Sequence, residues 1–293
     1  MGRINKATIK EQIKNLGLGC GDVVFVSSDL MRVGYYNESP QQTMQDWMDI
    51  FQDILGPDGT IVIPTYSPSV LRFIKKNEFI YTQDSISSSG SLANAYISKS
   101  DGAIRSLHPA TSCIALGKYA QEVVAKHGPG ASAYYPYSKV IELGGKNLML
   151  GTVDEKNCPM PFHYAQEILG HTLTHPLSGF LETAYLNDDG EKTSYIVREI
   201  GGCTRGVHKT WGYHLANNAV SVGQVGRSLS ALVDARKSYD IMLRVLKNNP
   251  GLIKCDDKYC ISCYGRYRYN GVGVFPYYLR KLTKIIGRFK TKS

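Results

Sequence analysis

His163 is the residue of this sequence best suited to moving a proton. It stands in the stretch GTVDEKNCPMPFHYAQE (151–167), just after a proline-broken loop, and Gln166 and Glu167 follow it closely. An imidazole of ordinary pKa, about 6.5, keeps a substantial neutral fraction at neutral pH and can serve as a general base. Pro161 suits the first turn of a helix, which predicts His163 near a helix N-terminus, where the dipole disfavours imidazolium. Glu167, four residues on, falls on the same face and is the local carboxylate that would orient the ring; Asp154 and Asp29 are others. Cys158, five residues earlier, makes a Cys–His pair that could instead work as a covalent nucleophile. The plain alternative is a surface helix with an incidental histidine.

Two further stretches carry chemistry-bearing side chains. In RSLHP, Arg105 offers a fork of donors suited to phosphate, with Ser106 and His108 beside it; the alternative is a loop built around a structural proline. VSSDL (26–30) closes a strand, and in α/β sheets ligands bind outside the carboxyl ends of strands, which makes Ser27, Ser28 and Asp29 candidates. Capping of the next helix explains the same residues equally well. There is no G-x-G-x-x-G, no Walker loop and no G-x-S-x-G elbow, so dinucleotide, phosphoryl-transfer and esterase chemistry have no motif here. His171, His175, His208 and His214 fall in no motif.

The elements that must position these residues read as an alternation. Ile9, Ile13 and Leu16 predict a helix over 5–18, and VVFVSSDL follows as a buried strand. Met44, Trp47, Met48, Phe51 and Ile54 keep the helical period in QQTMQDWMDIFQDILGPDGT, which Gly56-Pro57 stops before the strand TIVIPTY. TSCIALG, YAQEVVAKHG and NLMLGTV repeat strand, helix and strand. HYAQEILG starts a helix, FLETAYLN and TSYIVREI are extended, and RSLSALVDARKSYDIMLRVLKNN reads as one long helix. The expected fold class is α/β: one domain with a mostly parallel central sheet flanked by helices. Residues 1–263 form the domain and 264–293 a tail.

Composition agrees. The chain has 293 residues, 43% of them hydrophobic and 20% charged, which describes a soluble globular protein. Neither a spanning run of apolar residues nor a signal-peptide core is visible, so the expected location is the cytoplasm. Of the net charge of +9, eight units come from Arg266, Arg268, Arg280, Lys281, Lys284, Arg288, Lys290 and Lys292, in a tail with no acidic residue. A nearly neutral body argues against a nucleic-acid partner. The tail's aromatics and cations could meet an anionic membrane at its inner face; a solubilising tail or a helix packed on the body is the alternative. Seven cysteines, an odd and scattered set, point to reduced thiols. Cys255, Cys260 and Cys263 form C-x4-C-x2-C, which could hold a metal with a fourth ligand from elsewhere; the spacing departs from the usual paired C-x2-C, so free thiols are expected and no metal.

The order of motifs resembles the antibiotic N-acetyltransferase family, whose best-known members are aminoglycoside 3-N-acetyltransferases. LGLGCGDVVFVSSDL is similar to a family stretch ending V-H-S-S-L, and ILGPDGTIVIPTYS to G-P-x-G-T-L-x-x-P-T. SSSGSLANAY looks like S-x-M-G-x-L, and IRSLHPATSCIALG like R-S-x-H-P-x-x-S-x-x-A-x-G, the most specific match. LMLGTVDEKN and FHYAQE parallel L-L-L-G-x-x-x-x-x-N-T and H-x-A-E. With GGCTRG and VGRSLSALVDARKSYD, the resemblance spans about 5–245.

The resemblance implies acetyl-coenzyme A (or another acyl-coenzyme A) as donor and an amino sugar as the small-molecule partner. It gives His163 the place of the catalytic histidine. Ser28, Arg105, Ser106, His108 and Ser112 take places that contact coenzyme A, and Asp29, Asp154 and Gln166 fall on the acceptor side. Departures accompany it. Ser27 and Asp29 stand where histidine and serine are usual. Cys158 replaces a threonine thought to help polarise the thioester carbonyl. The loop before His163 is two residues longer, and Gln166 replaces the glutamate of H-x-A-E, with Glu167 one place later. These changes and the tail favour a nucleotide-linked amino deoxysugar for surface glycan assembly; the alternatives are an aminoglycoside 3-N-acetyltransferase and an inactive binding protein on this scaffold. A homo-oligomer is left open.

Overall fold

The computed structural model describes residues 4–73, 79–99, 101–171, 178–197, 203–260, 262–263, 279 and 282–283. The basic tail, and with it the expected membrane contact, lies almost wholly outside the described residues. In chain order the elements are α1 (Lys6–Asn15), β1 (Val23–Ser28), α2 (Leu30–Val33), α3 (Pro40–Leu55), β2 (Thr60–Pro64), β3 (Val70–Leu71), β4 (Ile80–Tyr81) and α4 (Ser91–Lys99). They continue with β5 (Ile104–Arg105), β6 (Cys113–Gly117), α5 (Ala120–Val124), α6 (Tyr135–Glu142), β7 (Lys146–Leu150) and α7 (Pro161–Ile168). The last are β8 (Leu181–Leu186), β9 (Lys192–Ile196), α8 (Trp211–Ala216), β10 (Val220–Val225), β11 (Ser228–Asp234) and α9 (Ala235–Asn248). Among the described residues no helix is long and apolar enough to cross a membrane.

The main sheet has seven strands in the order β10-β11-β7-β1-β2-β6-β5. Only β1 with β2 and β1 with β7 pair parallel; the other pairings are antiparallel, so the sheet is mixed and the mostly parallel expectation is corrected. The physical reason is connection length. Between β1 and β2 the chain runs through α2 and α3, long enough for a parallel return, whereas β10 and β11 are joined by Gly226-Arg227 alone, which permits only a hairpin. Gly226 takes φ +59 there, and a Cβ on it would sit 2.2 Å from the Val33 carbonyl oxygen. A second, smaller sheet holds β3, β8, β4 and β9.

Apolar cores line both faces of the sheet. On one, Ile9 and Ile13 of α1 and Trp47, Ile50, Phe51 and Ile54 of α3 pack on Val24, Val26 and Leu148. On the other, Phe25 and Val62 meet Val123, Tyr137, Val140 and Ile141. The stretch expected as one long helix is two elements. Residues 228–234 form β11, and Asp234 is the cap of α9, its carboxylate accepting from the Lys237 backbone N–H at 2.9 Å.

One buried carboxylate ties α1, α3 and the loop between α2 and α3. Asp46 accepts from Tyr35 Oη (2.6 Å), Asn37 Nδ2 (2.6 Å) and Lys6 Nζ (3.2 Å). Burial opposes its charge, but the bonds from Tyr35, Asn37, Lys6 and Gln42 prevail and bring its pKa down to about 2. A carboxylate with a depressed folded pKa stabilises the fold above its unfolded value and loses that contribution as pH falls through the folded one. Asp46→Asn is therefore expected to lower unfolding free energy at pH 7 by about 2 kcal/mol in urea titration, with the gap to wild type closing as pH falls from about 4 towards 2.

Candidate active site

β1 and β7 end side by side, and the site is built where they do. Their parallel register pairs Ser27 with Met149 and Ser28 with Leu150, and the Asp29 N–H donates to the Leu150 carbonyl at 2.9 Å. Gly151 then turns the chain at φ +69; a Cβ there would lie 2.7 Å from the Asp29 carbonyl oxygen, so the two loops touch backbone to backbone. Arg32 joins them again further out, Nη1 at 2.6 Å from Asp154 and Nε at 3.3 Å from Asp29. Asp29 also caps α2, accepting from the Arg32 N–H at 3.1 Å, so the capping role expected of it is present in the fold. Asp154 accepts from the N–H groups of Lys156 (2.7 Å) and Asn157 (3.0 Å), which curls the loop.

A cleft of about 790 Å³ opens over these loops. Ser28, Asp29 and Arg32 form one part of its wall, Thr152, Asp154, Lys156 and Asn157 another. Tyr35, Asn37 and Glu38 line it too, and Ser89–Leu92 bring the start of α4 to its edge. Its volume is that of a site for a drug-sized ligand. The cleft's lining stops at Asn157, one residue before Cys158, and His163 is not among the residues that line it.

His163 sits in the first turn of α7, as Pro161 predicts. The start of that helix is fixed by Asn147 of β7, whose Oδ1 accepts from the Met160 N–H at 2.8 Å. Next to it Phe162 is buried against Val207, Met242, Leu246 and Ile253. The His163 ring stacks on Tyr134, centroids 5.8 Å apart. Nδ1 lies 3.0 Å from Gln166 Oε1, a carbonyl that can only accept, so Nδ1 carries the proton and Nε2 keeps its lone pair. Burial holds the imidazole below the usual pKa, while the Gln166 bond works weakly the other way.

Nε2 faces Cys158 Sγ at 3.7 Å. Burial pushes the thiol up to about 12 and the imidazole down, so a thiolate–imidazolium pair is disfavoured from both sides. A Cys158 nucleophile would therefore have to form its thiolate against burial. Glu167 is corrected as the orienting group: its carboxylate accepts from Ser132 Oγ at 2.6 and 2.7 Å, and the amide of Gln166 takes the place on Nδ1.

The four residues of the R-S-x-H-P-x-x-S stretch expected at coenzyme A do not line this cleft, and their polar side-chain atoms are turned inward. Arg105 is 3% exposed; it donates to the carbonyls of Gln83, Ser85 and Thr65 and to Thr65 Oγ1 and Ser112 Oγ, over the ring of Tyr81. Ser112 Oγ is bound to the Thr65 carbonyl at 2.7 Å. Ser106 Oγ accepts from the Cys113 N–H and meets His127 Nδ1 at 2.9 Å. His108 Nδ1 receives the N–H groups of Ala110 and Thr111, and its ring stacks on His127 at 4.7 Å. These residues weld β5, β6 and the loop after β2 into one wall. Ser28 is the member of the expected set that lines the cleft. Sequence reading missed Arg32, Asn147 and His127, since each acts through a partner remote in sequence; Asn147 alone gave a signal, a polar residue within an apolar strand.

Burial lowers the imidazole pKa of His108 to about 4 and of His127 to about 2. A histidine buried neutral must take up a proton to unfold in acid, so its contribution is complete above about 6.5 and shrinks as pH falls towards the folded value. Urea midpoints are expected to be level above about pH 6.5 and to fall steadily from there to about pH 4. A flat profile across that window would show both rings protonated in the fold.

A family model described as aminoglycoside 3-N-acetyltransferase matches residues 25–247. The chain belongs to this family. It is 26% identical over 171 residues to aminoglycoside N(3)-acetyltransferase VIII of Streptomyces fradiae, covering 51% of this chain and 57% of that protein. It is 25% identical over 178 residues to aminoglycoside N(3)-acetyltransferase III of Salmonella sp, covering 56% and 60%. The matches thus span a little over half the length of these curated relatives. Among solved structures, the aminoglycoside acetyltransferase AAC(3)-IVa apoenzyme superposes with a TM-score of 0.71 at 20% identity, covering 90% of this chain and 96% of that one. The YokD protein from Bacillus subtilis does so at 0.72 and 21%, covering 85% and 96%. AAC-IIIb, solved as a binary complex with CoASH, gives 0.65 and 22%, covering 83% and 96%. These likenesses show the fold.

Proposed function

We propose that the protein transfers an acetyl group from acetyl-coenzyme A to an amine of an aminoglycoside-type amino sugar, with His163 as general base. The observation that carries this reading is the fixed tautomer: Gln166 occupies Nδ1, and Nε2, facing Cys158 Sγ, keeps its lone pair. An ammonium cannot attack a thioester. The acceptor reacts as its neutral amine: His163 Nε2 takes one N–H proton as the nitrogen adds to the thioester carbonyl, and the resulting imidazolium returns it to the departing thiolate. Low imidazole pKa and the start of α7 both favour the neutral, proton-accepting form. The cleft carries charges of both signs. Carboxylates of Asp29, Glu38 and Asp154 favour a cationic acceptor, while Arg32, Lys156 and the first turn of α4 offer positive potential to the donor's phosphates.

The family and its named relatives support an aminoglycoside over the nucleotide-linked sugar expected from the departures, for which no comparison speaks. The departures leave the class of reaction intact and alter how the base is held.

The test is release of coenzyme A thiol on mixing the enzyme with acetyl-coenzyme A and a panel of aminoglycosides, with product mass confirming one added acetyl. His163→Ala is expected to lower kcat by about 10²–10⁴-fold, the usual contribution of a positioned base. Cys158→Ser is expected to keep kcat within a few-fold; loss as severe as that of His163→Ala would restore the covalent route. With the base held low, log kcat should stay level as pH falls through about 6.5 and decline only below it. Glu38→Gln is expected to raise KM for the acceptor while KM for acetyl-coenzyme A stays put. A panel on which only nucleotide-linked amino sugars react would reverse the acceptor assignment.

A further inference from the structure

The fourth ligand that C-x4-C-x2-C lacks is supplied by the fold. Cys203, from the segment between β9 and α8, meets Cys255, Cys260 and Cys263 so that all four sulfurs lie within 4.8 Å of one another. Cys255 and Cys263 are buried and the other two half-buried. None of the seven cysteines is in a disulfide. The Cys255 and Cys263 sulfurs are 3.6 Å apart, far beyond the roughly 2.05 Å of an S–S bond. In a tetrahedral zinc site with Zn–S near ~2.3 Å, neighbouring sulfurs stand about 3.8 Å apart. The Cys255 backbone N–H points at Cys263 Sγ at 3.4 Å, the kind of contact that stabilises a thiolate.

We propose that Cys203, Cys255, Cys260 and Cys263 hold one zinc ion in a closed, structural site of four thiolates. Four soft sulfur ligands in a tetrahedral set select zinc or iron among common metals, and a set with no open position suits a structural ion. The sequence expectation of free thiols, with no metal, rested on a spacing off the usual paired C-x2-C; Cys203, the ligand from elsewhere, lies far upstream of the motif and could not be assigned to it by spacing.

The site closes a loop that the catalytic helix depends on. Cys203–Gly206 lies against the segment after α9: a Cβ on Gly206 would stand 2.1 Å from the Ile253 carbonyl oxygen, and Lys209 Nζ binds the Lys254 carbonyl and Asp256, each at 2.8 Å. Val207 and Ile253 form the floor on which Phe162 packs, next to His163. Thr204 Oγ1 donates to the carbonyl of Lys156 in the cleft wall. Zinc would thus fix the support of α7 from a distance, touching no substrate.

The experiment is metal analysis of the full chain purified in reductant without chelator. One zinc per chain is expected. After zinc removal, cobalt(II) should produce intense thiolate-to-metal absorption and tetrahedral d–d bands. Cys203→Ser and Cys260→Ser should lose both zinc and the cobalt spectrum, while Cys20→Ser, an exposed cysteine outside the set, should keep them. A high-affinity chelator should lower Tm in wild type and leave Cys203→Ser unmoved. A reduced, folded wild type that carries no zinc and takes up no cobalt overturns the site, as does iron in place of zinc or full zinc content in both serine variants. None of these readouts uses acetyl transfer, so the site stands or falls apart from the proposed activity.

Discussion

The parallel pairing of β1 with β7 is the contact on which the rest of the site hangs. Both strands are buried, and their ladder continues one step past the strand ends through the Asp29 N–H and the Leu150 carbonyl. Two backbones leaving a sheet together at that point must diverge, and the divergence makes the cleft. Gly151 sets how close they begin, because no side chain fits between its Cα and the Asp29 carbonyl. Arg32 sets how far apart they end, by spanning Asp29 and Asp154. Everything chemical is placed from these loops, including α7, whose first turn is hung from Asn147 in the same strand.

Burial decides what the placed groups can do. A Cys–His pair in an open, polar site could exchange a proton and become an ion pair. Here the sulfur and the imidazole share a site that penalises both charges, so each stays neutral and the lone pair of Nε2 remains the reactive feature. The same rule governs the wall of Arg105, Ser106, His108 and Ser112. Their sequence spacing resembles a binding motif, yet a guanidinium at 3% exposure has to satisfy its donors inside the protein, and Arg105 does so on three carbonyls.

How much of this the sequence displayed follows from the range of the interactions. Local signals were readable: β1, α3 with its Gly56 stop, β2, β7 and the proline at the start of α7 all stand where period and punctuation put them. The misreading of 228–234 as helix came from Leu229, Leu232 and Val233, which stand at helical spacing ahead of α9, where Asp234 as a cap was the overlooked boundary. Strand direction was not readable beyond the helix-linked pairs, because register across β2 and β6 or β7 and β11 depends on partners far apart in the chain. His163 was legible from its neighbours, but its true partner was not. Composition favoured the carboxylate at Glu167; helix geometry gave Nδ1 to the amide at Gln166, and Ser132 took the carboxylate.

That exchange of amide for carboxylate bears on the strength of the base. A carboxylate on Nδ1 stabilises imidazolium and raises basicity; a neutral carbonyl fixes the same tautomer with less electrostatic help. In its proposed role His163 would therefore accept a proton with less driving force than a carboxylate-backed histidine, but it is neutral over a wider range of pH. By Brønsted reasoning the weaker base is the better choice where the amine is itself acidic or partly deprotonated. Amines on a polycationic sugar meet that condition, since each neighbouring ammonium lowers the pKa of the next. The amide at Gln166, which removes a carboxylate from the base's surroundings, is thus compatible with an acceptor whose own charge does part of the work.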